Sequence, residues 1–570
     1  MIVVRGAISQ RPDGSKLPWV ASGSGWRSFV GGCWQVQILP DATMRVLETV
    51  DGVIVHDGRV EGWERNPLDW SGSFLAIGTG FPDGLQIWMD RIGTVPLFWM
   101  RRNTHLFFSS RLTDLVDVAD VGPDRVGILQ MALLDQPLGQ RTVLAGVSLL
   151  PPASSTVLRG DGASEPIRYW RPSINLDSDG SVDAWLEEGE RVLQASNARV
   201  LADRDGGTVA WPVTGGLDSR CNLGINAASI HERDILFHVS DLGERAELPI
   251  ARDIAAYFGH SLEEMDATEW MRGSFHFDLT RDSGEFNVGH WRLAGAARRL
   301  RDEFACRMTV DGYLLDTLLK PSFIRDGSLE TVRNRQMRVA EHRASRVGLD
   351  RRGERYVAFH EACIAGYPRE VDGLLATQRY TLENRSRRLV YGIVRTNQNF
   401  LDVRVPALDS ELIDFAMSLP WNLRKGGVLY RRLIHRMDPR LAAFPHDKTG
   451  RPILEAPRST LGREVFRRGK YYVNRLWPGR PIFDGKLTRF EMLLRKDRSF
   501  RHSVARVLDD SSWVSEALGG HVKATLVDQC RKGVAIADVI GALLNVALLE
   551  ARALEARGGW VETPATQSSA

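Results

Sequence analysis

Cysteine is scarce, with five in 570 residues. Cys33, Cys221, Cys306, Cys363 and Cys530 lie far apart with no CxxC or similar spacing. That argues against a zinc site and fits a reducing, cytoplasmic setting. Neither sign of charge is in excess: 74 Lys and Arg face 71 Asp and Glu, a net +3. A nucleic-acid binder driven by bulk electrostatics is therefore not expected. Long apolar runs are also missing. The longest, from Val534 to Leu549, is broken by Asp538 and Asn545 and falls short of the roughly 20 residues a membrane span needs. It reads as a buried C-terminal helix, and no membrane partner is expected. The opening "MIVVRGAISQRPDG" lacks the apolar core of a signal peptide, and no internal repeat is visible.

What is present is an ordinary globular balance, 43% hydrophobic and 25% charged, in a chain long enough for several domains. The first 170 residues hold short alternating segments divided by Gly and Asp-Gly turns: "CWQVQIL", "MRVLETV", "GVIVHDG", "GSFLAIG", "LQIWMD", "PLFWMRR" and "HLFFSSR". These predict a mostly β domain. A Pro-containing connection leads to a boundary near Ser173. From Val182 the period turns helical, with an N-cap at Ser181 or Asp183. A strand at 208–213, a helix at about 218–230, the strand "DILFHVSD" and the helix "ERAELPIARDIAAYFG" follow, which predicts a parallel sheet covered on both faces. Beyond Leu262 the chain reads as mainly helical to about Arg557, and 558–570 as a disordered tail.

Between that first strand and its helix stands "VTGGLDSR" (213–220). Two glycines allow close backbone approach, and a helix beginning near Leu217 aims unpaired N–H groups at the loop, which suits a phosphate. An ordinary strand-to-helix turn is the plainer alternative.

Several segments in order decide between them. "TGGLDSR" resembles the pyrophosphatase loop "SGGxDS" of the asparagine synthetase family. "DRIGTVPLF" with "FFSSRLTDLV", then "ERAELPIARDIAAYFG", "LDVRVPALDSELIDFAMSLP" and "AFPHDKTGRPI" are similar to that family's further motifs, over about residues 75 to 455. The resemblance implies an α/β protein: an N-terminal Ntn-hydrolase-like αββα domain at 1–172, and at 173–557 a parallel-sheet ATP-pyrophosphatase domain with a large helical portion. It implies ATP and Mg²⁺ as cofactors.

The chemistry implied is adenylation of a carboxylate, which attacks the α-phosphorus of ATP and releases pyrophosphate. The N–H groups of Gly215, Gly216 and Leu217 with the hydroxyls of Thr214 and Ser219 would cradle the pyrophosphate. Asp218 and Asp316, the latter from the "GxxxD" match that begins at Gly312, would hold Mg²⁺, though Asp316 alone would read as a helix cap. Lys448 would stabilise charge in acyl transfer, and adenine would lie against the backbone of Val239. Tyr313 stands where asparagine synthetases have Glu and β-lactam synthetases have Tyr. The carboxylate partnering it as base is Asp402 or Glu383.

The family's glutaminase nucleophile is a Cys at a processed N-terminus. The second residue here is Ile, no Cys precedes Cys33, and no "NGEIYN"-like segment is found. The expectation is therefore an ATP-dependent, AMP-forming amide ligase without glutaminase activity, near the β-lactam synthetase and lasso-peptide cyclase branch. Its partner would be a small molecule or peptide bearing both a carboxylate and an amine, with a precursor peptide and a protease as possible associates. An asparagine synthetase or other amidating enzyme using ammonia, and an inactive nucleotide- or peptide-binding scaffold, are the alternatives. The basic runs "RSRR" (385–388) and "REVFRRGK" (463–470) are candidates for substrate contact or plain solvated faces.

Overall fold

The seven alternating segments named above all fall on strands of two antiparallel sheets in the computed structural model. The described residues exclude 1–2, 10–25, 58–69, 242–246, 273–291, 322–328, 368–372, 456–488, 558–570, Lys448 and some gaps of a few residues. The tail at 558–570 and the run at 463–470 thus lie outside them. One sheet runs Ser148–Leu149, Phe98–Arg102, His105–Ser109, Val3–Ser9, Trp34–Leu39, Arg27–Val30. The other runs Gly162–Ala163, Ser154–Arg159, Gly84–Met89, Ser73–Gly78, Gly52–Asp57, Met44–Thr49.

Strand alternation sets what each face buries. Val4, Ile8 and Phe108 turn inward against Leu75, Ile77, Leu85 and Ile87. Ala7 and Phe107 turn outward to the helices Leu112–Val118 and Arg125–Leu134. The opposite outer face carries Trp70, Phe74 and Ala76, and no helix of 1–172 covers it among the described residues. The expected αββα stack is therefore seen as three layers. The same outward face opens the largest core, which crosses the expected boundary at 172/173. Leu329–Val347, Glu354–Ala365, Ser512–Leu518 and Ala537–Ala556 all pack on Arg125–Leu134. The last of these is the buried C-terminal helix expected from 534–549, and no described helix is long and apolar enough to cross a membrane.

The third sheet is wholly parallel. Its strands, β1 (Val209–Pro212), β2 (Ile235–Asp241), β3 (Leu262–Asp266), β4 (Met308–Val310) and β5 (Asp402–Arg404), lie in the order β3-β2-β1-β4-β5. The order reverses between β1 and β4, and at such a switch point the connections diverge to opposite faces and leave a crevice at the strands' carboxyl ends. Proline at the end of a central strand looks costly, yet Pro212 fits. Val213 donates to the His238 carbonyl at 2.8 Å, so by alternation the missing N–H of Pro212 faces β4. There the ladder has already ended at Ala210 beside Thr309.

The two halves are clamped by the "RSRR" run. Arg387 is buried, and its guanidinium donates to the carbonyls of Gly93 (2.9 Å) and Leu150 (2.7 Å). Arg388 donates to Pro137 (3.0 Å) and Arg141 (2.8 Å). This part of the basic run is thus neither solvated nor open to substrate, which corrects both expectations for it. Buried Asp90 shapes the receiving turn by accepting the amides of Ile92, Gly93 and Thr94. Gly93 has φ +70, and a Cβ there would lie 2.6 Å from the Arg387 Nε. "DRIG" is a docking turn for Arg387.

Candidate functional site

The glycine loop leaves β1 and enters the helix Leu217–Ile225, whose N-cap Gly216 offers no side-chain acceptor. First-turn N–H groups have no intrahelical partner, and the dipole favours an anion there. Asp218 occupies that turn. It is half-buried, and its Oδ1 accepts the Tyr430 hydroxyl at 2.9 Å. Across the switch point, β4 continues into Asp311-Gly312-Tyr313-Leu314 and the short helix Leu315–Leu319, which carries Asp316. Leu314 sits at φ 72, a left-handed conformation that is strained for a bulky side chain. Its burial in the core fixes it there.

Gly312 explains how the two arms approach. A Cβ at this position would lie 2.7 Å from the Cβ of Asp218 and 3.0 Å from its backbone carbonyl. Only glycine fits at this distance.

This packing concentrates acid in a low dielectric. Burial, and then the charge of Asp316, push the Asp218 carboxyl well above the usual range, against the pull of Lys320 and Tyr430. Burial pushes Asp311 up to about 7, opposed by the amides of Tyr313 and Gly312. Such oxygens suit a hard cation. Among the described residues no group of three or more His, Cys, Asp or Glu forms a ready metal cage. Two carboxylates match Mg²⁺, which is commonly held by one or two carboxylates together with substrate phosphates and water. The donor set fits the ion on that footing.

The loop itself is closed on its own groups. The Thr214 and Ser219 hydroxyls lie 2.9 Å apart, Thr214 N–H donates to Ser219 Oγ (3.2 Å), and Gly216 N–H to Thr214 Oγ1 (3.2 Å). A phosphate would have to exchange with these bonds. Gly215 makes room for protein: a Cβ would lie 3.0 Å from that of Asp447. Buried Arg220 joins the two segments, donating to Gly215 (3.2 Å), to Phe444 (2.7 Å) and to Pro445. Lys448 lies outside the described residues; its neighbour Asp447 donates its N–H to the Gly215 carbonyl at 3.3 Å.

A cavity of about 310 Å³ opens beside the loop. Thr214, Asp218, Ser219, Val239, Gly312 and Tyr313 line it, so six of the sequence-predicted residues meet there, and Gly215, Gly216 and Leu217 are not among the lining. Asp316 acts on Asp218 from the adjoining helix. Asp402 does not line the cavity. It begins β5 beside Met308, away from the carboxyl end, and Arg404 grips both its oxygens at 2.7 and 2.8 Å. Glu383 is held by Arg168 (3.1 Å) and Arg379 (2.8 Å). Neither candidate base is placed at the cavity.

Sequence reasoning missed Asp311, Tyr430, Arg220, His238 and Asn397. The alternation in "FHVS" was a usable signal for His238, since Phe237 and Val239 enter one core and His238 and Ser240 face the other way.

No family model matches the chain, and no curated protein matches it significantly. Among solved structures it is similar to the allosteric regulatory enzyme of purine biosynthesis, at 10% identity over 46% of this chain and 74% of that one, with a TM-score of 0.18.

Proposed function

We propose that the chain is an ATP-dependent, AMP-forming amide ligase, with an Ntn-hydrolase-like first domain that does not hydrolyse glutamine and an ATP-pyrophosphatase-type second domain. The observation that carries this reading is the half-buried Asp218, set at a helix N-terminus against Gly312, its carboxyl raised by burial and by the charge of Asp316. An acidic pair in that position suits a magnesium-bound polyphosphate better than any role in packing.

In the proposed reaction a substrate carboxylate attacks the α-phosphorus; the carboxyl–phosphorus bond forms as the α–β bridge breaks. Asp218 and Asp316 would hold Mg²⁺, which neutralises the leaving charge. The Thr214 and Ser219 hydroxyls and the first-turn N–H groups would receive the pyrophosphate, with Lys448 as a further cation. An amine then attacks the acyl carbon and AMP leaves with the acyl C–O bond. Asp311 takes the place of Asp402 and Glu383 as the carboxylate beside Tyr313, because it lines the cavity and its pKa near 7 suits a general base.

Nitrogen would come from a substrate amine. All five cysteines are buried, and burial pushes the Cys33 thiol up, which disfavours a thiolate nucleophile. The test is pyrophosphate release from MgATP with a panel of carboxylate and amine pairs: peptides, amino-acid derivatives, aspartate with ammonia, and glutamine. Activity on amine-bearing substrates that Asp218→Ala abolishes supports the reading. Activity undiminished in that variant refutes the site, and aspartate-dependent AMP release would favour the asparagine-forming alternative.

A further inference from the structure

The acidic pair of the site has a cation beside it that the adenylation chemistry leaves unused. Lys320 follows the helix Leu315–Leu319 and closes its last turn, its N–H donating to the Asp316 carbonyl at 2.9 Å. It stands four residues after Asp316, the spacing and order in which a lysine meets a carboxylate on one helix face. The stem is held as well as the backbone. A Cβ on Gly427 would lie 2.7 Å from Lys320 Cγ, 2.9 Å from its Cβ and 3.0 Å from its Cδ, and Gly427 has φ +72. Glycine is required there twice over, by conformation and by space. Gly427 caps the helix Val428–Met437, whose Tyr430 hydroxyl bonds Asp218. The lysine is thus packed between the helix that carries Asp316 and the start of the one that reaches Asp218.

Lys320 is half-buried and does not line the cavity, so it meets the carboxylates from outside the space a nucleotide would fill. Its charge favours ionised Asp218, against burial and the charge of Asp316. Arg385 also stands in the field of Asp316, though Asp135 acts on it more strongly. A cation placed like Lys320 has two effects. It relieves the repulsion between two carboxylates held together in a low dielectric. It also opposes a second cation at the same oxygens, and a dication feels that repulsion twice over. Mg²⁺ gives up its water reluctantly and would gain only two carboxylates here. A triphosphate reverses the balance, since its negative charge exceeds the lysine's positive one and it brings its own oxygens to the metal.

We propose that Lys320 is the resident counter-ion of Asp218 and Asp316 and excludes free divalent metal from them, so that Mg²⁺ enters the site only with the nucleotide. This rests on the metal-and-nucleotide reading above and gives that site an order of binding. Lys320 is a positioning residue: its ammonium acts through the two carboxylates, away from the reacting atoms. Loss of a residue that merely supported the fold would weaken every ligand, whereas loss of a competing cation strengthens one of them. The sign of the effect on free metal separates the two.

The test is electron paramagnetic resonance of the full chain with Mn²⁺, a hard ion of the same oxygen preference, alongside calorimetry with MgATP. Without nucleotide the wild type should leave Mn²⁺ free up to about 0.1 mM, and Lys320→Met should bind it at least about tenfold more tightly. MgATP affinity should not rise in that variant. Lys320→Arg, which keeps the charge, should exclude the ion as the wild type does, and Asp218→Asn added to Lys320→Met should abolish the gain. A wild type that binds Mn²⁺ more tightly than about 0.1 mM without nucleotide overturns the proposal with no variant required to fold. So does a Lys320→Met that gains no Mn²⁺ affinity or keeps its gain with Asp218 replaced, and so does a Lys320→Arg that gains as much. Wild-type MgATP binding alongside any of these results leaves the ligase reading standing. A wild type that binds no MgATP overturns both.

Discussion

Gly312→Ala is the sharpest structural test of the site, because a single methyl group probes the approach of its two arms. The φ of Gly312 lies outside the left-handed region, so alanine brings no backbone strain and the whole effect is contact. The new Cβ would lie 2.7 Å from Asp218 Cβ and 3.0 Å from its backbone C and O, whereas carbon atoms settle at about 3.5–4.0 Å. The arms must part by about 1 Å, and overpacking of this kind costs roughly 1–3 kcal/mol. Misplacing a positioned group by 1 Å costs on the order of 10²-fold in function. We therefore expect a modest fall in Tm by scanning calorimetry and a fall in MgATP affinity of at least about tenfold, measured on the same preparation. A lowered Tm with wild-type affinity would show that Asp218 is packed against Gly312 but binds no nucleotide. No change in either would refute the geometry.

Arg387→Leu should lower stability by about 3–5 kcal/mol in denaturant unfolding, since it removes two charge-assisted bonds and strands the Gly93 and Leu150 carbonyls. A loss under about 1 kcal/mol would contradict the clamp. Tyr430→Phe removes the bond that favours ionised Asp218, so Mg²⁺-dependent nucleotide binding should weaken and its pH midpoint move upward; an unmoved midpoint would show that the bond is not made. Asp311 titrates near 7 when folded, above its ordinary value. Its contribution to stability is therefore full below about pH 4 and lost as pH rises through 7. The difference in stability between Asp311→Asn and wild type, in which other groups such as His238 cancel, should grow in favour of the variant from pH 5 to 8. A flat difference would contradict it.

Local pattern carried the strands, because a two-residue period with Gly turns depends on near neighbours alone. It also carried the glycine loop and the pairing of Asp218 with Gly312 and Asp316, through motifs spaced along the chain. The strand order β3-β2-β1-β4-β5 was not legible, since no local feature says where the order reverses. Tyr430 reads as an aromatic on an amphipathic helix, and its partner lies 212 residues earlier. "RSRR" is read by composition as a wet surface; the carbonyls that hold Arg387 and Arg388 belong to segments 237 to 294 residues away in the first domain. Asp402 misled because a strand that reaches the site by one end was credited with chemistry at the other.

Magnesium-dependent nucleotide binding by wild type and Asp218→Asn, followed by calorimetry with and without chelator, tests the central claim most directly. Asparagine keeps the shape and removes a charge that burial disfavours, so Tm should hold or rise while MgATP affinity falls by at least about tenfold. Binding that persists in Asp218→Asn, or that is indifferent to Mg²⁺ in the wild type, would contradict a nucleotide site built on Asp218 and Asp316.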